Sequence, residues 1–497
     1  MPLERLDVEW LVWPLAEGEG PGPLARMDAA SDGEVGRALG AGEFKGTLFE
    51  FQAVPLRPGS TRARKVVLAG AGPASAYTPD VARDLATASA IHASERRART
   101  FAFVHRVPDG AGSQASAGEW AQAVSEGLTL GDFDTGRYKA AGADRPPRAV
   151  GTLASDEGEA FVQAAAPAAA RGCLVAQCVN LARDLVNEPG NLLPPRVLAE
   201  RAQALVSGAA LGIEILDEHH IRELGLRLVA AVGQGSHEPP RVVVIRHDPP
   251  DAASAPVLGV VGKGVTFDTG GLSIKTADGM ERMKDDMAGG AAVLAAMRAI
   301  ALLRLPIRVL GVVVAAENMP GGGAMRPGDV LRAGSGRTVE VVNTDAEGRL
   351  LLADGLWHAR QAGATHLVDV ATLTGACTVA LGRSVAGVFG RPDAWRERVR
   401  DAAARCGERV WPLPLVEEER DQLKSEIADT INCGGRHGGA ITAALFVGEF
   451  AGDCPWAHLD IAGPAWTAEA KPHLPKGPTG FGVRTIVALA SRLSEER

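Results

Sequence analysis

The feature that most constrains the fold of this 497-residue chain is the alternation of apolar, β-branched runs with helical stretches after residue 240. Strands are predicted at residues 241–246, 257–261, 307–314, 339–342 and 366–370, and helices at residues 289–303 and 350–361. Strands that alternate with helices favour a largely parallel sheet that is covered on both faces. The C-terminal part of the chain is therefore predicted to be an α/β domain.

Length and composition indicate two folded domains. A chain of this length exceeds what one core usually organises, and 46% hydrophobic residues suffice to bury two cores. Residues 1–165, with a strand candidate at 65–69 and a helical pattern at 78–100, are assigned to a smaller N-terminal α/β domain. The loop-like stretch 140–151 marks the approach to its end. A helical pattern at 158–185 stops at Pro189 and Gly190, so residues 166–190 are predicted to be an interdomain helix and linker. A larger α/β domain follows at 191–497.

Composition argues against several classes of function. A net charge of −8 speaks against a mainly nucleic-acid-binding role, and the basic patch at residues 94–99 is interpreted as a solvated helical face. The six cysteines are sparse and form no CxxC pair, which is typical of reduced thiols in a cytoplasmic protein. The N-terminus lacks the basic n-region of a signal peptide, and no apolar run approaches the roughly 20 residues of a membrane span. Neither a signal peptide nor a membrane span is therefore expected.

Charged residues concentrate in three short clusters at predicted junctions between strands, loops and helices. The clusters contain Asp345, Glu347 and Arg349 in NTDAEGR, Lys263, Asp268 and Lys275 in GKGVTFDTGGLSIK, and Asp285 with Asp286 before the helix at 289–303. Each cluster alone has a purely structural explanation. Thr344, Asp345 or Asp286 can cap a helix, Asp268 can form a turn, and Lys275 can lie on the surface.

The three clusters together point to metal chemistry. If they converge, Asp268, Asp286, Asp345 and Glu347 place four negative charges in one pocket. Repulsion among them would favour protonation unless cations were bound. Two divalent ions cancel that charge, and an oxygen-rich shell suits Mn, Mg or Zn. The pattern therefore predicts a dinuclear metal hydrolase.

These residues, at these separations, resemble the leucine aminopeptidase family, also known as the cytosol aminopeptidases. The resemblance is carried by VGKGVTFDTGGLSIK, AAENMPGGGAMRPGDVLR, VEVVNTDAEGRLLLADGL, DVATLTGA, WAHLDIAGPAW and ARDLVNEPGNLLPP. They cover most of residues 180–485, whereas the first part of the chain is assigned mainly by position. Departures from the family pattern at Thr276 and after Asp286 do not touch a ligand.

The resemblance implies a leucyl-type aminopeptidase with two divalent metal ions, Mn²⁺ or Zn²⁺, bound in the C-terminal domain. Lys263, Asp268, Asp286 and Glu347 would bind one ion. Asp268, Asp345 and Glu347 would bind the other, with Asp268 and Glu347 as the bridging ligands. A lysine ligand must lose its proton, which a neighbouring dication favours.

The same resemblance implies the catalytic and substrate-binding residues. Lys275 would stabilise the developing oxyanion, and Arg349 would hold a bicarbonate that acts as general base. The substrate's free α-amine would bind a metal ion, which restricts hydrolysis to N-termini. The side-chain pocket and the contacts with the substrate backbone would involve Met283, Thr372, Leu373 and Gly375.

The expected partners are peptides with a free N-terminus and further copies of the chain in a homohexamer, with the N-terminal domain in an assembly or regulatory role. Turnover of intracellular peptides is the expected physiological task. Two alternatives stay open at this point: a related dimetal dipeptidase, for example for Cys-Gly, and an aminopeptidase with an added DNA-binding role.

Overall fold

The computed structural model describes residues 3, 6–140, 147–252 and 256–496. Two compact units divide the chain, namely Met1–Asn180 with Glu469–Lys476, and Leu181–Ala468 with Gly477–Arg497. The first unit continues past the predicted boundary at residue 165 because one continuous helix, Glu159–Asn187, runs through that position. Of the loop predicted at 140–151, residues 141–146 lie outside the described residues, and a strand starts at Val150.

The first unit is an α/β fold around a central sheet. Its strands are β1 (Trp10–Leu15), β2 (Phe51–Pro55), β3 (Lys65–Gly70), β4 (Thr100–Val104) and β5 (Val150–Ala154). Its helices are α1 (Ala25–Ala30), α2 (Glu34–Gly40), α3 (Pro79–Glu95), α4 (Ala117–Leu130) and the greater part of α5 (Glu159–Asn187), whose last seven residues belong to the second unit. In the described part of the chain the sheet order is β2-β3-β1-β4-β5, with β2 antiparallel and the other strands parallel. Two clusters of buried apolar side chains pack against it.

The basic patch at residues 94–99 is solvated as interpreted, since Arg96, Arg97 and Arg99 are exposed, but only its first two residues are helical. Helix α3 starts where the Thr78 side chain accepts from the Val81 amide, with a proline at the first helical position, and it ends at Glu95. Arg97 has a positive φ of 59°, which is incompatible with a continuing helix. The chain turns there so that Thr100 can enter β4. The basic residues therefore lie at a helix end and in a turn.

The second unit contains the remaining elements, with the predicted strands and helices in place. Its strands are β6 (Gly212–Leu216), β7 (Arg241–His247), β8 (Val257–Asp268), β9 (Arg308–Asn318), β10 (Val330–Arg332), β11 (Thr338–Glu340), β12 (His366–Ala371), β13 (Ala386–Arg391), β14 (Val410–Pro412), β15 (Thr430–Ile431), β16 (Trp456–Asp460), β17 (Trp466–Thr467) and β18 (Gly477–Pro478). Its helices are α6 (Pro195–Val206), α7 (Glu218–Glu223), α8 (Arg227–Gly233), α9 (Ala288–Leu302), α10 (Gly348–Gln361), α11 (Gly375–Leu381), α12 (Asp393–Arg405), α13 (Gly439–Phe450) and α14 (Val483–Glu495).

The main sheet of this unit, in the order β14-β13-β16-β12-β8-β9-β7-β6 over the described residues, is parallel at its centre. Strands β16, β12, β8 and β9 run parallel, whereas β13, β7 and β6 meet their inner neighbours antiparallel. The apolar runs of β8 and β9 are almost fully buried because helices cover both faces. The predicted two-domain α/β fold with a mostly parallel sheet is confirmed.

The strand predicted at 339–342 belongs to a different sheet from the one expected. It is β11, which pairs with β10 and β15 in a small separate sheet. The pairing ends at Glu340, and Val342 is partly exposed. NTDAEGR therefore enters the site from a side sheet, whereas Asp268 is the last residue of the central strand β8.

Small residues bring α9 tightly against the sheet. A Cβ at Gly289 would lie 2.0 Å from the Val370 carbonyl oxygen in β12. A Cβ at Gly262 in β8 would lie 2.7 Å from the Gly290 Cα. Because neither position tolerates a methyl group, the first turn of α9 packs backbone to backbone on β8 and β12.

Within the described ranges, no helix combines the length and apolar character needed to cross a bilayer. The six cysteines are all free thiols, as expected, and Cys377 is buried.

Candidate active site

One cavity of about 660 Å³ lies at the carboxyl end of β8. Every residue that the sequence assigned to a metal ion, to catalysis or to the substrate pocket lines it. These residues are Lys263, Asp268, Lys275, Met283, Asp286, Asp345, Glu347, Arg349, Thr372, Leu373 and Gly375. The three sequence clusters therefore converge, and the explanations of each cluster in isolation do not account for the arrangement.

An irregularity in β8 aims two of these side chains in one direction. Alternate residues of a strand face opposite sides of the sheet, so Lys263 and Asp268, five positions apart, would ordinarily point apart. The register with β9 shifts between Val265 and Phe267, which inserts one extra residue into β8. Such a bulge reverses the alternation beyond it, and Asp268 joins the face of Lys263.

The Lys263 ammonium bridges one pair of carboxylates by ion pairs. Its Nζ atom lies 2.8 Å from an Asp286 oxygen and 2.8 Å from a Glu347 oxygen, and it donates to the Thr372 carbonyl at 3.2 Å. Thr372 also donates its hydroxyl to Asp286 at 2.7 Å. Lys263, Asp286 and Glu347 are buried, so this cluster is shielded from solvent.

Lys275 bridges a second pair of carboxylates by ion pairs. Its Nζ atom lies 2.7 Å from Asp268 and is also in direct contact with Asp345. Carboxylate oxygens of Asp268, Asp286 and Glu347 all lie within 4.8 Å of one another, which is close enough to share a metal ion. Asp345 stands outside that group among the described residues and is connected to it through Lys275.

The helix-capping explanations of NTDAEGR are not supported. Glu347 occupies the N-cap of α10 without a side-chain capping bond. The Thr344 hydroxyl donates to the Gly270 carbonyl at 2.6 Å and accepts from the Ser273 amide at 2.7 Å. Thr344 thus ties NTDAEGR to the loop after β8, which holds the two clusters together. Asp286 likewise makes no capping bond, because the N-cap of α9 is Met287.

Two asparagines that the sequence analysis did not single out organise the cluster. Asn318 ends β9 and donates to Asp268 at 2.9 Å and to the Thr344 carbonyl at 3.0 Å. Asn432 accepts from the Val342 amide at 2.9 Å and donates to the Asn343 carbonyl at 2.7 Å. Asn318 lies inside a segment that carried the family resemblance, whereas no pattern marks Asn432.

Burial and an excess of negative charge set the ionisation of the site. Burial raises the pKa of Asp286 and of Glu347, and neighbouring carboxylates add to the rise while Lys263 opposes it. For Lys263, burial lowers the pKa, but the attraction of Asp286, Glu347 and Asp268 outweighs it and the pKa is raised. Four carboxylates face two ammonium groups, so the cluster has room for more positive charge.

Arg349 is a buried cation on the first turn of α10. Its Nη1 donates to the Asn432 carbonyl at 3.1 Å, and its Nε has no partner within the described part of the chain. Burial lowers the pKa of this guanidinium, with Cys433 and Glu347 opposing the shift. A buried N–H without an acceptor costs free energy, so the geometry favours an anion here.

The wall of the cavity combines apolar and small residues. Met283, Thr372, Leu373 and Gly375 line it as predicted, and Trp466 and Ala462 also contribute. Histidines are absent from the cavity lining among the described residues. His358 is half-buried, His437 is exposed, and His458 is buried against Asp369.

Comparison with known proteins decides the family. The model of the cytosol aminopeptidase family's catalytic domain matches residues 180–487, and that of the family's N-terminal domain matches residues 12–142. A probable cytosol aminopeptidase of Solibacter usitatus is 46% identical over 490 residues, 98% of this chain and 97% of the relative. The chain belongs to the cytosol aminopeptidase family.

Relatives and solved structures agree with that membership. A probable cytosol aminopeptidase of Roseiflexus castenholzii is 47% identical over 86% of this chain and 87% of its own. A tomato leucine aminopeptidase variant matches with a TM-score of 0.88 at 34% identity, covering 99% of this chain and 95% of its own. The bottromycin maturation enzyme BotP in complex with Mn matches with a TM-score of 0.86 at 39% identity, covering 98% and 100%.

As a member of the cytosol aminopeptidase family, the chain is a metallo-aminopeptidase that acts on peptides. Neither the dipeptidase alternative nor an added DNA-binding role is favoured by these matches.

Proposed function

We propose that the cavity holds two divalent metal ions and releases N-terminal residues, leucine among them, from peptides. The observation that carries this proposal is the pairing of carboxylates around two lysines, Asp286 with Glu347 at Lys263 and Asp268 with Asp345 at Lys275. Each pair is an oxygen-rich position that already attracts a cation. When bound, the ions supply Lewis acidity at the scissile carbonyl.

The donor set fits two ions. Lys263, Asp268, Asp286 and Glu347 would hold one ion, and Asp268, Asp345 and Glu347 the other. Asp268, Asp286 and Glu347 already present oxygens within 4.8 Å of one another. Asn318 and Thr372 hold these carboxylates by hydrogen bonds, as groups behind metal ligands commonly do. Mn²⁺ is the favoured ion because BotP was solved with Mn, and Zn²⁺ is the second candidate.

Two cations of the chain serve the reaction in this proposal. Lys275 is partly exposed to the cavity, where its ammonium would donate to the oxyanion that develops at the scissile carbonyl. Arg349 has a buried Nε without a partner in the described residues, which fits a bicarbonate ion as general base. No carboxylate of the cluster is then needed for proton transfer.

The wall described above would receive the substrate. Met283 and Trp466 offer apolar surface, whereas Gly375 and Ala462 leave space beside them. An apolar side chain such as that of leucine or methionine fits this lining. The negative charge of the cluster favours the protonated N-terminus of an approaching peptide.

A substitution of Asp345 tests the metal site. Asp345→Ala removes a carboxylate from the second position and should abolish hydrolysis of leucine p-nitroanilide and lower the bound metal per chain. Circular dichroism should show an unchanged fold because this side chain is only half-buried. Asp278→Ala, which changes an exposed carboxylate of the same cavity, is the control and should retain its metal. Near-normal activity of Asp345→Ala would contradict the dinuclear assignment.

A second experiment tests the anion. Arg349→Met should lower kcat by at least about 100-fold, the lower end of a general-base contribution, while metal content stays constant. Added bicarbonate should activate bicarbonate-depleted wild-type enzyme and leave the variant unchanged. Equal activation of both proteins would remove Arg349 from this role.

Assembly and location complete the proposal. We propose a cytoplasmic homohexamer that degrades intracellular peptides, with residues 1–165 serving assembly or regulation and residues 191–497 catalysis, joined by the helix and linker at 166–190. The relatives' designation as cytosol aminopeptidases supports the location. Light scattering of the purified protein should give the mass of six 51.6 kDa chains. A monomer mass would refute the hexamer.

A further inference from the structure

Asp460 is a fully buried carboxylate at the end of β16 whose hydrogen bonds converge on the cavity wall. One of its oxygens accepts from the amides of Leu373 at 3.3 Å, Thr374 at 3.4 Å and Ala462 at 3.2 Å. The other oxygen accepts from the Thr374 hydroxyl at 2.7 Å. A single side chain thus holds two separate segments of the chain.

Both segments line the cavity, whereas Asp460 lies behind them. Leu373, Thr374 and Ala462 line the cavity. Asp460 does not belong to the lining that the described residues form. Strand β16 runs parallel to β12 with Asp460 opposite Ala371, so the carboxylate sits where the chain leaves β12. Its position in the sheet explains how it reaches both walls.

The segment that Asp460 holds, namely Leu373 and Thr374, is continuous with a residue of the proposed metal cluster. Thr372 precedes Leu373, and its carbonyl accepts from Lys263 while its hydroxyl donates to Asp286. The Thr374 hydroxyl in turn accepts from the Cys377 amide at 3.0 Å and caps α11. Residues 372–374 are therefore fixed on one side by the cluster and on the other by Asp460.

A carboxylate is required for this arrangement. Asp460 accepts four hydrogen bonds and donates none, which suits an ionised carboxylate with two acceptor oxygens. An asparagine keeps the shape but presents an N–H₂ group on one side. That group would meet either the Thr374 hydroxyl or the three amides, and one set of contacts would be lost.

We propose that Asp460 is a positioning residue for substrate binding, which fixes the wall formed by Leu373, Thr374 and Ala462 without touching the substrate. The proposal rests on the assignment of this wall to the substrate under the proposed function. It predicts that weakening the clamp impairs binding more than the chemical step, because the metal ligands keep their own supports at Asn318 and Thr372.

The test compares two buried aspartates in the metal-loaded full-length enzyme. Asp460→Asn should raise KM for leucine p-nitroanilide, and the Kd of L-leucine by calorimetry, about tenfold, the size expected for losing one hydrogen bond to a charged group. The kcat should stay within about threefold, and metal content should not change. The control is Asp354→Asn, because Asp354 is equally buried and accepts amide hydrogen bonds from Leu228, Val229 and Gly334, outside the cavity lining. Its KM should equal that of wild type, whatever its thermal stability.

The outcomes separate the proposal from the proposed function. Unchanged KM and leucine Kd in Asp460→Asn would overturn the positioning role and leave Asp460 a structural residue. A loss of kcat and of bound metal at constant Kd would overturn it equally. If Asp460→Asn does not fold, Thr374→Val removes the 2.7 Å bond to Asp460 together with the 3.0 Å cap of α11, and it must show at least the same rise in Kd. A wild-type enzyme that hydrolyses nothing, but binds leucine with a Kd that rises in Asp460→Asn, would refute only the proposed function. A wild-type enzyme that does not bind leucine would overturn the positioning role.

Discussion

Replacing Gly289 by alanine should damage both stability and activity, because this glycine sets the distance between α9 and β12. The added Cβ would lie 2.0 Å from the Val370 carbonyl oxygen and 2.7 Å from its carbon, whereas ordinary contacts start at 3.4 Å. The obstacle is backbone, which cannot rotate away as a side-chain tip does. Helix and strand would therefore have to separate by about 1.4 Å, the difference between the clashing distance of 2.0 Å and the ordinary contact distance of 3.4 Å.

The expected magnitude combines two opposing effects. Overpacking of a dense interior lowers the free energy of unfolding by about 1–3 kcal/mol, whereas exchanging glycine for alanine within a helix raises it by about 1 kcal/mol. Gly40→Ala is the matched control, since Gly40 is also helical and a Cβ there has no neighbour within 4 Å. Because Gly40 ends α2 in the first unit, the control leaves the unit containing Gly289 unaltered, and the net effect of Gly289→Ala is the difference between the cost of its clash and its propensity gain. That difference should lower the melting temperature of the unit containing Gly289 by about 2–4 °C per kcal/mol.

The catalytic effect follows from the position of Gly289. Asp286 lies one turn before it, and the 2.7 Å hydrogen bond from Thr372 to Asp286 spans the contact that must open. A misplacement of about 1 Å at a catalytic site costs on the order of 100-fold in rate. We expect kcat/KM for leucine p-nitroanilide to fall by 10-fold to 100-fold, measured beside melting curves of the metal-loaded enzyme. A Gly289→Ala protein with the stability and activity of Gly40→Ala would refute the reasoning.

Three further predictions follow from buried contacts. Burial raises the pKa of Asp354 to about 7, although its amide donors oppose the rise. Between about pH 4 and pH 7 the native state therefore holds a proton that the unfolded chain has released. Stability should thus fall as pH rises from about 4 to 7, by at most about 4 kcal/mol, and urea denaturation of Asp354→Asn should show a flatter profile. Gly348→Ala places a methyl group 2.7 Å from the Lys263 Nζ and should weaken metal retention in a chelator titration, whereas unchanged retention would show that the lysine tip moves freely. Thr372→Val removes the hydroxyl that donates to Asp286 and should reduce metal affinity about 10-fold to 100-fold, and an unchanged affinity would show that this bond does not orient the ligand.

The second unit was predictable from the sequence because its order of elements follows hydrophobic periodicity. The apolar runs that become β8, β9 and β12 alternate with helical stretches that become α9 and α10, and each prediction lies within a few residues of the element found, except that β8 continues seven residues further. Local periodicity reports burial directly, which is why it succeeds here. It was less accurate after Glu95, because α3 ends there, five residues before the predicted end, and β4 starts at Thr100, which pairs with β5.

The candidate site was predictable to a different degree at each residue. Lys263, Asp268, Asp286, Asp345 and Glu347 belong to short segments whose charge density is unusual, and the structure gathers them around one cavity. Asn318, Asn432 and Asp460 carry no such signal, because a buried polar residue acquires its partners only when distant segments meet.

The sequence by itself determined the inventory of the site: which carboxylates, lysines and arginine this chain offers, and the α/β scaffold that carries them. Tertiary structure alone decided their arrangement. A one-residue bulge in β8 turns Asp268 to the side of Lys263, and the small side sheet containing β11 delivers Asp345 and Glu347. Asp460 holds the opposite wall from the end of β16. The physical reason is that residue types and periodicity are local properties, whereas the 2.8 Å contacts of Lys263 with Asp286 and Glu347 join segments that meet only in the folded sheet.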